Sequence, residues 1–404
     1  MKSERAILHC DANSFFASVE MAQRPELKNV PMAVCGSEAE RHGIVLAKNE
    51  LAKKYGIVTA ETVHSARRKC KELVIREPHH ALYSEYSKKL NAIYSEYTDL
   101  VEPFGIDESW LDVTKSVYLG TPLEIAEKIR RRVNDELGLT VSIGVSFNKV
   151  FAKLGSDYKK PDAITVISKD NFKSIVYPLD VGSLLFVGSK TQSSLSSLGI
   201  KTVGDLARAS DSLIEARLGR VGAMLLAYAR GEDTSEVNPS QEELKSISNG
   251  YTFTHDITKT DDFLAAIDYL SIDIGKRLRS HRLMCQGVLL TLKDCNLRIY
   301  QRQRLLSSPT NDSRAVAELA VRILNDEYRG YPVRAITVCA INLVSLDFAT
   351  EQLDFFMKDA QSSSDRAEKR ESALDEIRRK FGKNSILNAS IINTDFGIYK
   401  KDKK

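Results

Sequence analysis

Three carboxylates carry the clearest chemical signal in the chain. Asp11 follows the apolar run Arg5-Ala6-Ile7-Leu8-His9-Cys10, and Asp107-Glu108 interrupt the β-like segment from Val101 to Val113. A buried carboxylate is costly unless it is paired or holds a cation. Two apolar strand settings that each present carboxylate at one end supply the hard oxygen ligands Mg²⁺ prefers, with the rest of its shell borrowed from phosphates. Two such ions about 3.5–4 Å apart clamp the attacking and leaving oxygens of an in-line phosphoryl displacement. Adjacent strand residues face opposite ways, so Asp107 and Glu108 both reach a metal only at a bend or turn. Spacing alone equally allows all three to be surface turn residues.

The elements that must position these acids alternate along the first half of the chain. Residues 5–12 read as a strand running into Asp11, and 15–21 as a helix. Short strands follow at 31–35 and 44–46, then a helix at 49–55 closed by Gly56. An amphipathic helical pattern covers 84–101, the β-like segment 101–113, a helix 123–136, a strand 140–145, a helix 148–158 and a strand 164–167. Strands and helices mix without βαβ repetition, which fits an α+β sheet better than a doubly wound one. Residues 171–235 are helix-rich with short loops, turning at Leu198-Gly199-Ile200 and at Leu218 to Gly222. A polar stretch with Pro239 reads as a linker. Residues 246–348 then run strand, helix, two strands, helix, strand, and a tail after Asp347 contains a charged helix candidate at 365–381 whose charges read as solvated.

The 404 residues suffice for two to four domains. With 43% hydrophobic and 28% charged residues, the composition is that of a globular protein with sizeable cores. It excludes a largely disordered chain, a collagen-like chain and a disulfide-stapled miniprotein. No run approaches the ~20 apolar residues of a membrane span, and the N-terminal apolar stretch is too short for a signal peptide. A cytoplasmic location is expected. The six cysteines form no C-x-x-C pair, so neither a zinc site nor a redox motif is indicated. The net charge of +4 averages over an uneven distribution.

The text around the acids resembles one family, the Y-family (DinB/UmuC type) translesion DNA polymerases. The run from His9 to Glu20 looks like the family's first metal motif, and Gly105-Ile106-Asp107-Glu108-Ser109-Trp110-Leu111-Asp112-Val113 like its second. Ser142 to Ser146, continuing through Asn148 to Leu154 and to Lys160-Pro161, looks like its third. The three stand in family order, and the resemblance covers nearly the whole chain. It implies an α+β multidomain right hand. The palm would be 1–14 and 82–170, the fingers 15–81, the helical thumb with a helix-hairpin-helix 171–235, the linker 236–247, the little finger 248–348, and a tail 349–404 would follow.

The resemblance also implies roles. Asp11, Asp107 and the backbone carbonyl of Ala12 would hold the nucleotide-associated Mg²⁺. Asp11, Asp107 and Glu108 would hold the ion that lowers the pKa of the primer 3′-hydroxyl, with Mn²⁺ a possible substitute. Asn13, Ser14 and Phe15 would line the dNTP, Phe16 would be the sugar gate, and Lys53 and Lys160 would meet the triphosphate. A flat ring under C2′ leaves no room for a 2′-hydroxyl. One position departs from the pattern: Glu50 stands where the family has a tyrosine, and a carboxylate repels phosphates. Lys48 is the candidate substitute donor. Lys53 replaces an arginine and acts as a point charge without the guanidinium fork.

For the DNA, Phe186 to Thr191 looks like the helix-hairpin-helix, with Gly188 and Lys190 at the phosphate. The strongest charge bias lies at 276–304, where Arg298, Tyr300 and Arg302 alternate and a strand would put them on one face. Lys293, Arg298, Arg302 and Arg304 are expected along DNA phosphates. In the tail, Gln352-Leu353-Asp354-Phe355-Phe356 resembles the bacterial sliding-clamp-binding pentapeptide, with Gln352, Leu353, Phe355 and Phe356 as anchors. The expected partners are primer-template DNA, dNTP and the clamp, with the protein a monomer and no membrane involved. A nuclease or nucleotide cyclase would use similar metals, but Phe16 and the basic C-terminal domain argue against it. A catalytically silent clamp- or DNA-binding relative conflicts with the intact acidic set. A UmuC-like subunit that needs accessory partners stays open.

Overall fold

The apolar runs of the sequence become three sheets whose open faces are covered by amphipathic helices. The computed structural model describes residues 4–37, 43–240, 243–346, 358–382, 385–387 and 389–392. They form two units, one of residues 4–36 and 43–240 and one from 243 onward.

In the first unit the strands are β1 (Ile7–Ala12), β2 (Met32–Cys35), β3 (Val45–Lys48), β4 (Val74–Arg76), β5 (Val101–Pro103), β6 (Glu108–Asp112), β7 (Val141–Ser146) and β8 (Ile164–Ile167). Five make one sheet in the order β5-β6-β1-β7-β8, in which β1 is central and buried at every position. It runs antiparallel to both β6 and β7, while β7 and β8 are parallel. The period of two sorts its side chains. Leu8 and Cys10 join the core built by the helices His80–Ser95 and Pro122–Leu137. Ile7, His9 and Asp11 take the opposite face, where Ile7 packs with Trp110 and with Ala152 of the helix Lys149–Tyr158.

That helix lies unusually close to the sheet. A Cβ on Gly144 of β7 would stand 1.9 Å from the Ala152 carbonyl oxygen, and one on Gly155 would stand 2.9 Å from Gly144 Cα. Two glycines therefore let helix and strand touch backbone to backbone.

The remaining strands form a small sheet, β3-β2-β4, backed by the helix Val63–Lys69. Sequence periodicity shows neither that helix nor β4, because only Val63 and Ala66 of its seven residues are buried. Residues 172–230 supply five short helices around an apolar core of Val176, Leu195, Leu206, Ile214 and Leu225, which they share with Phe151 and Leu154 of the helix Lys149–Tyr158 and Ile167 of β8. Arg220-Val221-Gly222, expected within a turn, open the helix Arg220–Arg230, and Gly219, at φ +59°, makes the turn by itself. The expected linker begins as packed chain: Val237 is buried beside Trp110, and the Asn238 N–H donates to Glu102.

The second unit repeats the element order read from the sequence. β9 (Ser246–Ile257), the helix Thr260–Ser280, β10 (Leu283–Asp294), β11 (Ile299–Thr310), the helix Ser313–Glu327 and β12 (Val333–Ser345) build an antiparallel sheet in the order β11-β10-β12-β9. Both helices cover one face through Phe263, Ile267, Ile274, Val316 and Ile323. The charged tail helix spans Lys358–Phe381, and it is not simply solvated. Glu371 and Arg378 are buried, and Arg279 reaches Glu371 at 3.1 Å and Asp375 at 2.8 Å. No described helix is long and apolar enough to cross a membrane.

Candidate active site

Register alone brings the first two acids together. Asp11 of β1 pairs with Glu108 of β6, so both side chains leave the same face of the sheet. Asp107 precedes β6, in the bend that joins it to β5, and its carbonyl accepts from the Ala12 N–H at 3.0 Å. This is the bend that joint ligation requires. A Cβ on Gly105 would have Glu108 Oε1 at 3.4 Å and Asp107 Oδ1 at 3.5 Å, so both carboxylates gather over one glycine.

Ammonium groups balance part of this charge. Lys153 Nζ lies 2.6 Å from Glu108 Oε2 and 3.0 Å from Asp11 Oδ2, and Lys160 Nζ lies 2.7 Å from the same Asp11 oxygen. Asp157 pairs with both lysines. Burial of Lys153 is outweighed by Asp11 and Glu108, so its pKa rises. Glu108 is likewise driven down to about 2: its burial is overcome by hydrogen bonds with His9 and Lys153. Asp107 goes the other way. Burial first, then the charges of Asp11 and Glu108, push it up to about 6. The three acids repel one another in the absence of an added cation, and lysine ammoniums already stand in the oxygen-rich centre. Hard oxygens, excess negative charge and stand-in cations make a donor set that fits divalent metal.

A cleft of about 430 Å³ opens beside the acids, lined by Asp11, Ala12, Asn13, Ser14, Phe15, Phe16, Lys48, Lys53, Asp107 and Lys160 among others. It collects every residue expected at the nucleotide. Ser14, with φ +48°, makes the tight turn from β1 into the helix Phe15–Gln23. Phe15 is buried in the core, while Phe16 is half-buried and faces the cleft. Asn13 is spent on structure: it donates to Ser142 Oγ and accepts from the Asp162 N–H, which ties the end of β1 to the Lys160 loop. Glu50 is exposed and pairs with Lys53, so it does not line the cleft. Lys48 does, and its ammonium donates to Thr59 Oγ1 at 2.8 Å. Burial, then neighbouring Lys53, lower its pKa.

The positions expected at DNA divide. Gly188 caps the helix Ser189–Ser196 with no side-chain cap, and Lys190 lies in its first turn. In the second unit, Tyr300, Arg302 and Arg304 do share one face of β11, opposite the buried Leu292, Leu290 and Val288. That is the helix-covered face, and Arg302 and Arg304 pair with Glu327 and Asp326. Arg298 precedes the strand and is not part of the alternation, and Lys293 faces the other side of the sheet. The clamp motif at 352–356 lies outside the described residues.

Sequence reasoning missed the site's inner partners. His9 is fully buried, its Nδ1 is 2.9 Å from Ser156 Oγ, and its Nε2 is 3.4 Å from Glu108 Oε2. Burial lowers its pKa. His9, Asp11 and Glu108 each offer a ligand atom within one 4.8 Å group. The signals were available: His9 stands two residues from Asp11 on a strand, and Lys153, Asp157 and Lys160 recur at helical spacing.

Residues 10–157 match the impB/mucB/samB family, and residues 244–355 match that family's C-terminal domain. A protein named DNA polymerase IV from Acetivibrio thermocellus is 44% identical over 387 residues, covering 95% of this chain and 96% of the relative. DNA polymerase IV 1 of Bacillus subtilis is 33% identical over 392 residues, covering 97% and 94%. A solved Y-family DNA polymerase chimera superposes with a TM-score of 0.75 at 23% identity, over 84% of this chain and 99% of that one, which supports the fold. The acidic site at the end of β1 thus stands within a matched domain, and the chain belongs to the DinB-type Y-family DNA polymerases, the impB/mucB/samB family.

Proposed function

We propose that the chain performs template-directed, low-fidelity DNA synthesis past damaged bases by nucleotidyl transfer at Asp11, Asp107 and Glu108. One observation supports the assignment of residues: a single cleft joins Asp11 and Asp107 to Phe16, Lys48, Lys53 and Lys160, and Glu108 pairs across the sheet with Asp11. Asp11, Asp107 and the Ala12 carbonyl would hold the nucleotide-associated ion, and Asp11, Asp107 and Glu108 the second, with Mg²⁺ the expected species. Bound there, the ions would lower the pKa of the primer 3′-hydroxyl and neutralise the departing pyrophosphate. The chain's own residues do the rest. Lys153 holds Asp11 and Glu108 in register on one face. Lys160 and Lys48 bring positive charge to the phosphates, and the Phe16 ring lies under the sugar. Glu50 withdraws to Lys53 and leaves the phosphate path.

The relatives' name, DNA polymerase IV, favours an enzyme active by itself over a UmuC-like subunit. Arg302 and Arg304 are held by exposed ion pairs, with one further bond from Arg302 to the Gln301 carbonyl, and such exposed pairs contribute little and yield to phosphate. The Gln352 to Phe356 motif would tether the enzyme to a sliding clamp, and the protein would act as a cytoplasmic monomer. The test is primer extension with Mg²⁺ and dNTPs, comparing wild type with Asp107→Ala/Glu108→Ala. Extension by the wild type alone supports the assignment. Equal extension by both removes the acidic pair from the reaction. Clamp added to wild type and to Phe355→Ala should lengthen products only for the former.

A further inference from the structure

The ring assigned to sugar selection is not free to choose its position. Phe16 and Glu20 are four residues apart on the helix Phe15–Gln23 and therefore share a face. Tyr83, in the first turn of the helix His80–Ser95, spans both. Its ring stacks on Phe16, with centroids 4.2 Å apart and planes 12° apart. Its hydroxyl donates to Glu20 Oε1 at 2.8 Å. Tyr83 is fully buried and Glu20 nearly so. The same Glu20 oxygen meets His79 Nδ1 at 2.7 Å. His80 closes the stack, edge-on to Phe16 at 5.9 Å and to Tyr83 at 5.9 Å.

A carboxylate buried this deeply costs several kcal/mol unless its hydrogen bonds are met. Glu20 is not among the residues that line the cleft and forms no bond to the acids, so the catalytic site gives no account of it. A stacked pair of rings can slide sideways at little cost, because offset arrangements are close in energy. The hydroxyl-to-carboxylate bond removes that freedom. We propose that Glu20 and Tyr83 are positioning residues for sugar selection, with Glu20 anchoring the Tyr83 hydroxyl so that the Tyr83 ring pins Phe16. The proposal rests on the reading of Phe16 as the gate.

The measurement is kcat and KM for a dNTP and the matching rNTP in single-nucleotide primer extension. Tyr83→Phe keeps the ring and loses the anchor. Its dNTP/rNTP selectivity should fall about tenfold, mostly through a lower rNTP KM, given that small misplacements at a site cost up to about a hundredfold. Glu20→Ala, which also frees His79 and Arg76, should lose at least as much selectivity, and Glu20→Ala/Tyr83→Phe should fall no further than Glu20→Ala, since the hydroxyl-to-carboxylate bond is already gone. Glu20→Gln, whose amide oxygen still accepts from the hydroxyl, should retain selectivity. Should Glu20→Ala fail to fold, Tyr83→Phe alone decides. Phe16→Val is the control for the gate. If it loosens sugar selection while Tyr83→Phe does not, the anchor is refuted and the gate stands. If Phe16→Val keeps full selectivity, the gate reading itself falls. Equal losses of kcat for both nucleotides in Tyr83→Phe would mark a merely structural role and overturn the proposal.

Discussion

Replacing an acid proposed to hold metal should stabilise the metal-free protein, and Asp107→Asn is the variant that tests it. Asp107 is pushed from its ordinary 3.8 to about 6 by burial and by the charges of Asp11 and Glu108. A raised acid pKa means that the fold prefers the protonated carboxyl. The penalty is absent below the unfolded value, grows as pH rises, and is complete above the folded value. A shift of about two units corresponds to roughly 3 kcal/mol, and screening in a partly open site reduces that to about 1–2 kcal/mol. Glu108 has the opposite sign: its folded value near 2 gives stability that is lost only as pH falls toward 2. Between pH 5 and 8 its contribution is therefore nearly constant, and Asp107 dominates the change. The assay is urea unfolding in EDTA at pH 5 and pH 8. Asp107→Asn should exceed wild type at both, by about twice as much at pH 8, and should lose its advantage when saturating Mn²⁺ stabilises wild type by mass action. A variant no more stable than wild type, or one whose advantage does not grow with pH, would refute the argument that the acids repel one another.

Gly144→Ala should fail to fold or lose more than about 4 kcal/mol, because its methyl would meet the Ala152 carbonyl 1.9 Å away, and thermal melts measure this directly. Arg279→Met should cost the second unit about 1–3 kcal/mol, because Glu371 and Asp375 lose their closest cation and keep only Arg370 at 3.3 Å and Arg378 at 3.9 Å, and Glu371→Gln/Asp375→Asn in the same background should recover part of it in chemical denaturation. Lys48→Ala should raise the dNTP KM several-fold with little change in kcat, since the ammonium serves ground-state and transition-state phosphates alike, and an unchanged KM would remove Lys48 from the site.

The parts of the molecule that obey a local rule could be read from the chain. β1 alternates and carries Asp11 near its end, and the strand-helix-strand-strand-helix-strand order of the second unit follows from its hydrophobic periods. Asn49 and Asn148 cap their helices as short polar side chains do. What escaped is set by distant partners. The Lys153 ammonium reaches Asp11 from 142 positions away, and its helical spacing with Asp157 and Lys160 marks a shared face without showing which strand that face meets. The tail helix looked solvated because its charges are dense, yet Arg279 draws two of its acids inward. Of Arg298, Tyr300 and Arg302, expected on one face, Arg298 precedes the strand while Tyr300 and Arg302 share a face with Arg304, and only the sheet order shows that helices cover it.

The electrostatics of the acidic site also explain why its three acids are not equivalent. Asp11 has two ammoniums on one oxygen, and Glu108 has one together with His9. Among the described residues Asp107 has no cation within ion-pair distance, and it is the acid driven up. The lysines come from the helix that Gly144 and Gly155 draw onto the sheet and from the loop that follows it, so they serve the face of β1 that the helix crosses. Asp107 lies at the bend, toward the cleft, where Lys160 acts on it only at a distance and less strongly than burial and the other acids. The acid that the fold leaves without an ion-pair partner among the described residues is therefore one that lines the cleft.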